Sequence, residues 1–170
     1  FDNVEIRTAE IEEICVANST LSFDDYIMCR NMHLVVTIFY NDSIFSALLG
    51  LLRALHVPLW DWIEMLMSSE KPAGLERLFE DFRQATRHEL WPTRDDLADF
   101  IQEEGVVERF LSGELGNNLL FVHKSQAITQ HLEDLADFAC EATLRLLSKH
   151  GKKTSETQQF AMDAVKYHRL

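Results

Sequence analysis

A chain of 170 residues, 46% hydrophobic and 26% charged, is long enough to bury a core and too apolar to be disordered. Its net charge of −12 repels polyanions, which argues against general binding to nucleic acid or to an anionic membrane. Six Gly and three Pro supply little material for long loops, so helices with brief connections are expected.

The chain opens at Phe1 with strand-like text and with neither an initiator Met nor a secretory signal, so it reads as a continuation of an upstream segment. From Val4 to Ala17 the apolar residues Val4, Ile6, Ile11, Ile14 and Val16 alternate with acids. That spacing predicts one or two short strands or an extended arm over residues 1–20, ahead of a helical domain over 21–170. A lone strand pair is unstable, so the arm needs a helix or a missing sheet to lie against. Isolated from its neighbour, it is expected to drive self-association into a homodimer.

Helical text follows. Ser22 reads as an N-cap with Asp24 and Asp25 at the positive helix end, and the helix continues to about Tyr40. Between Met32 and Tyr40 it is apolar almost all round, as a central buried helix would be. Asn41 to Ser43 mark a turn, and Ile44, Leu48, Leu51, Leu52 and Leu55 form a second stripe. Pro58 suits the first turn of a short helix carrying Trp60, Trp62, Ile63 and Leu66. Leu75, Leu78, Phe79, Phe82 and Leu90 keep helical spacing up to Pro92, and Thr93 caps a helix holding Leu97, Phe100 and Ile101. A short helix runs through Phe110 and Leu111 to Gly113.

Phe121, Ser125, Ile128, Leu132, Leu135, Ala139, Ala142 and Leu146 alternate spacings of four and three, the seam of one long helix ending near Gly151. A last helix follows a Thr154 or Ser155 cap, through Phe160, Ala161, Ala164 and Val165. The expected fold is mainly α: a bundle or orthogonal array of about seven or eight helices behind a short arm. The most apolar stretch, residues 31–55, is interrupted by Asp42 and Arg53 and reads as core rather than a membrane span.

Few residues of the chain hold the spacing that catalysis or metal binding requires. Cys15, Cys29 and Cys140 form no CxxC pattern and read as reduced, mostly buried thiols of a cytoplasmic protein. The seven histidines, His33, His56, His88, His123, His131, His150 and His168, never pair at i, i+3 or i, i+4, so no metal site is expected. Adjacent acids such as Asp24–Asp25 and Glu103–Glu104 point different ways on a helix and read as caps and solvated charge. The basic residues Lys149, Lys152, Lys153, Lys166 and Arg169 near the end read as surface charge.

Cys29 and His33 do sit at i, i+4, the spacing a thiolate nucleophile needs from its base, but a buried structural pair is the expected outcome. Trp60 and Trp62 flank Asp61 and cannot share a helix face, so one should pack while the other meets solvent or a partner. Tyr40 and Asn41 close the apolar helix and offer polar groups at its mouth. No catalytic, cofactor-binding or metal-binding residue is assigned. The candidate interface is Tyr26, Arg30, His33, Tyr40, Asn41, Trp60 and Trp62.

The stretch from Glu10 to about Ile63 resembles the region that follows the catalytic barrel in cobalamin-binding radical S-adenosylmethionine proteins. There an extended segment ending T-L-S leads into S-F-x-D-Y and then H-L-L-V-x-x-F-Y-N. The corresponding residues are Ser19, Thr20, Leu21, Ser22, Phe23, Asp25, Tyr26, Arg30, His33, Leu34, Phe39, Tyr40 and Asn41, in a match covering about a third of the chain. The resemblance implies a C-terminal accessory domain packed on an upstream barrel of the same polypeptide. It also implies a parent carrying a 4Fe-4S cluster, S-adenosylmethionine and cobalamin, none of them bound by this chain, whose cysteines lack the cluster spacing. The other reading is a freestanding helical interaction or regulatory domain that binds a partner helix or a small ligand.

Overall fold

The computed structural model describes residues 11 to 166; the strand-like spacing at Val4 and Ile6, along with His168 and Arg169, lies outside them. Residues 11–18 have no regular secondary structure, so Ile14 and Val16 belong to an extended arm rather than a strand. The arm lies along the first helix and the connection around Trp91. Helix packing thus takes the place of a sheet.

At the end of the arm the Asn18 carboxamide oxygen accepts from the amides of Thr20 and Leu21 at 2.8 and 2.9 Å, turning the chain into α1 (Phe23–Val36). The expected Ser22 cap is a complete capping box. Its hydroxyl accepts from the Asp25 amide at 3.1 Å, and the Asp25 carboxylate accepts from the Ser22 amide at 2.9 Å. The Ser22 hydroxyl and amide hold the Asp25 carboxyl below its ordinary range. The helix continues as a π turn over Thr37–Asn41. Leu34, Val35, Ile38 and Phe39 are wholly buried, whereas His33 and Tyr40 are exposed. One face of this segment is therefore core and the other is not, where burial all round is expected from sequence.

A turn at 42–45 then leads into α2 (Ser46–Ala54), α3 (Leu59–Ser68) and α4 (Ala73–His88). The stop of α2 carries no sequence signal: His56 takes the left-handed conformation at φ 54°, and the Val57 amide returns to the Leu52 carbonyl at 2.9 Å. Gly ordinarily fills that position, as Gly151 does at the end of the eighth helix with φ 64°. Beyond α3, the Lys71 ammonium sits over the rings of Phe79 and Phe138 at 5.4 and 5.7 Å. Its half-burial there pulls its pKa below the usual lysine range.

The short helices α5 (Arg94–Ile101) and α6 (Val106–Leu111) stand outside the main core. Thr93 caps α5 as expected, accepting from the Asp96 amide at 3.1 Å, yet α5 buries no residue completely. It is held by Trp91 stacked on Phe100 at 4.7 Å.

The long helix expected from Phe121 to Leu146 is two helices, α7 (Leu119–Gln130) and α8 (Leu132–Lys149). His131 breaks it with φ −133° and ψ 23°. At the break, a β-carbon added to Gly74 would lie 3.0 Å from the His131 ring, so the start of α4 closes on that ring. The seam holds only in α8, where Leu135, Ala139, Ala142 and Leu146 are buried. In α7 the buried residues are His123 and Ala127, and Phe121 is 63% exposed. With this break there are nine α-helices among the described residues, against the seven or eight expected, ending with α9 (Ser155–Lys166).

The main core joins α1, the π turn, α2, α3, α4, α7, α8 and α9. Phe39 lies at its centre: it stacks on Phe45 at 5.4 Å and meets the rings of Trp62 and Phe138 edge-on at 6.2 and 6.0 Å. The buried Trp62 indole donates to the Thr143 hydroxyl at 3.0 Å, and that hydroxyl donates to the Ala139 carbonyl at 2.8 Å. Among the described residues no single helix is long and apolar enough to cross a membrane. The first helical segment and α2 pass together, but they bend by 86° and their apolar faces form the core.

Two stability outcomes follow. Leu34→Ala should cost about 2–5 kcal/mol because its surroundings are closed, whereas Ser22→Ala removes only a cap and should cost roughly 1 kcal/mol; urea melts of both variants check the difference. Thr143→Val leaves the Trp62 N–H buried without an acceptor and should cost about 1–3 kcal/mol. Thr143→Ser keeps the acceptor and should recover most of that loss in the same measurement.

Candidate functional site

A cleft of 610 Å³ opens between the arm and the helical body. Ile11, Ile14 and Val16 form its arm side, Tyr26 and Arg30 reach it from α1, and Glu89, Trp91 and Leu97 come from the end of α4 and the start of α5. The start of α1 and the end of α4 are tied beside it. Arg87 pairs with Asp24 at 2.9 Å and covers the Phe23 ring at 5.3 Å.

Arg30 is the polar centre of the cleft. Its guanidinium lies 3.5 Å from the Glu89 carboxylate and 5.7 Å from the centre of the Phe82 ring. Its Nε is buried without a hydrogen-bond partner. Burial raises the Glu89 pKa, and attraction to Arg30 only partly offsets that rise. Desolvation thus outweighs a long ion pair, which leaves a carboxyl that takes up a proton more readily than an ordinary glutamate.

Trp91 separates this cleft from another of 570 Å³, bounded by the end of α4, Phe100 and Ile101 of α5, Phe110, the 114–117 loop and Leu119 at the start of α7. The Trp91 ring is 40% exposed. It therefore stacks on Phe100 while bordering both cavities.

A third concavity, a groove of 510 Å³, runs between α1 and α3. Met28, Cys29 and Met32 line one side, and Trp60, Glu64, Met67 and Ser68 the other. The Trp60 indole donates to the Glu64 carboxylate at 2.7 Å, which fixes the ring along the wall.

The candidate residues read from sequence are therefore dispersed. Tyr26 and Arg30 meet in the arm cleft, joined by Glu89, Trp91 and Leu97, which sequence reading passes over. Trp60 lines the sulfur-bearing groove, while Trp62 is the buried partner of Thr143, the division their spacing requires. Tyr40 and Asn41 are exposed at the end of the π turn, beside the pairing of Asp42 with Lys124 at 2.9 Å.

The Cys29–His33 pair departs from its expected burial. Both residues are exposed; Cys29 lines the groove and His33 does not. Cys15 is exposed as well, so Cys140 is the buried thiol of the three. These positions lie on the solvent side of α1 and on the arm, where apolar neighbours in sequence do not mean apolar neighbours in space. Among the described residues no three His, Cys, Asp or Glu side chains converge to hold a metal. The arm cleft is lined by apolar residues of the arm, the Trp91 ring and the Arg30–Glu89 pair, together with Glu12, Glu13, Thr93 and Arg94.

The Glu89 environment sets a pH dependence. A carboxyl with a raised pKa binds more protons folded than unfolded, so its contribution to stability declines as pH rises through the glutamate range. Glu89→Gln should flatten that decline, and denaturant melts across the acidic range check it.

No protein-family model, curated protein or solved structure matches this chain.

Proposed function

We propose that the chain is the C-terminal helical accessory domain of a cobalamin-binding radical S-adenosylmethionine protein, packing on the catalytic barrel and helping to close its substrate side. The observation that carries this reading is the arm cleft. Residues 11–18 form one side of a 610 Å³ cavity whose other side is α1 and the Trp91 connection. A domain attached ahead of the arm would be delivered to the mouth of that cavity.

The residues behind the family resemblance hold the same region together. Ser22 and Asp25 make the capping box where the arm enters α1, Tyr26 and Arg30 line the cleft, and Phe39 ties α1 to the core. The iron–sulfur cluster, S-adenosylmethionine and cobalamin belong, in this reading, to the parent. The contribution of this chain is to bury apolar barrel surface and to limit solvent at the cleft.

The coding sequence upstream of Phe1 provides the test. It should contain a CxxxCxxC motif, and its absence from a completely read frame would overturn the proposal. Hydrogen exchange supplies a second readout: residues 11–18 should be protected in the longer protein and should exchange faster in the 170-residue chain. Equal protection in both would argue for a freestanding domain.

A further inference from the structure

We infer that the groove between α1 and α3 is a binding site for one soft monovalent metal ion, Cu(I) or its analogue Ag(I), with Cys29, Met28, Met32 and Met67 as the ligands. Three of the five methionines and one of the three cysteines in the chain line this single groove. No Leu, Ile, Val, Phe or Ala is among the lining residues, although hydrophobic residues make up 46% of the sequence. The apolar surface here is sulfur and one indole, not the aliphatic lining of an ordinary packing groove.

The positions suit convergence. Met28 and Met32 are i, i+4 on α1, and Cys29 and Met32 are i, i+3, spacings that bring side chains together on one helix face. Met67 approaches from α3 across the groove. Methionine has three rotatable bonds, which lets a thioether swing toward a common point.

The groove carries two oxygen-bearing side chains beside its four sulfur-bearing ones. The Glu64 carboxylate accepts from the Trp60 indole at 2.7 Å, and the Ser68 hydroxyl donates to the Glu64 carbonyl at 2.7 Å. Thiolate and thioether donors select Cu(I), whereas Mg²⁺ and Ca²⁺ require oxygen. Binding forms a metal–thiolate bond and releases the Cys29 proton to solvent, with no change in oxidation state. The one negative thiolate then balances the single positive charge of the ion. Trp60, 54% exposed, lines the same groove and supplies a fluorescence reporter for it. The site does not depend on the proposed parentage.

Anaerobic titration of the full chain with Cu(I) buffered by bicinchoninate tests the assignment, with Ag(I) quenching of tryptophan emission as an independent readout. One equivalent should bind. Cys29→Ser should weaken binding by at least about tenfold, the scale expected on losing the thiolate donor. The Met28→Leu/Met32→Leu double variant should weaken it while keeping apolar volume, and circular dichroism verifies that both variants fold. Cys15→Ser and Cys140→Ser should bind as the parent chain does, and Trp60→Phe should lose most of the Ag(I) quenching. No transfer of Cu(I) from bicinchoninate, binding unaffected by both groove variants, or binding that follows Cys15 would each overturn the proposal.

Discussion

The burial of Phe39 is the constraint on which the rest of the helical body depends. It lies in a π turn, and its ring contacts Phe45, Trp62 and Phe138, so one side chain joins the end of the first helical segment to α3, α8 and the turn leading into α2. Large aromatic rings contribute much of a core's burial and prefer offset or edge-to-face geometry. Placing Trp62 there requires an acceptor for its N–H. Thr143 supplies one, and its own hydroxyl is satisfied within α8. Small neighbours on the same helix, Ala139 and Ala142, are buried beside it, which lets α3 approach. The polar groups at the hub are paired, and the hub is closed.

Away from that hub the packing loosens in a definite direction. Helices α5 and α6 contribute nothing to the main core, and the three concavities all lie around α1, α3 and the connection through Trp91. Arg30 and Glu89 occupy the boundary between the two regimes. They are buried enough that desolvation governs the carboxyl, yet open enough to line a cavity. A separate tie, His150 against Asp61 at 3.0 Å, links the end of α8 to the start of α3.

The chain itself determined most of the helices, because their signals are local. Ser22 and Thr93 as caps, Gly151 as a stop, the stripe on α2 and the opposition of Trp60 and Trp62 all act within a few residues along one helix. The capping box at Ser22 even gives a physical reason for the S-F-x-D-Y text on which the resemblance rests.

What the tertiary structure alone decided depends on residues distant in sequence. The break at His131 is invisible in a seam that keeps its periodicity across the break, and the ring at the break meets Gly74, 57 positions away along the chain. The left-handed His56 ends α2 without a glycine to announce it. Cys29 is exposed on a helix whose other face is core, since burial follows the face a residue presents. The arm cleft is the plainest case. Tyr26 and Arg30 are legible as candidates, but Glu89 and Trp91 join them only when the end of α4 packs beside the start of α1. A sequence states which side chains a helix carries; only the packing of helices decides which of them share a cavity.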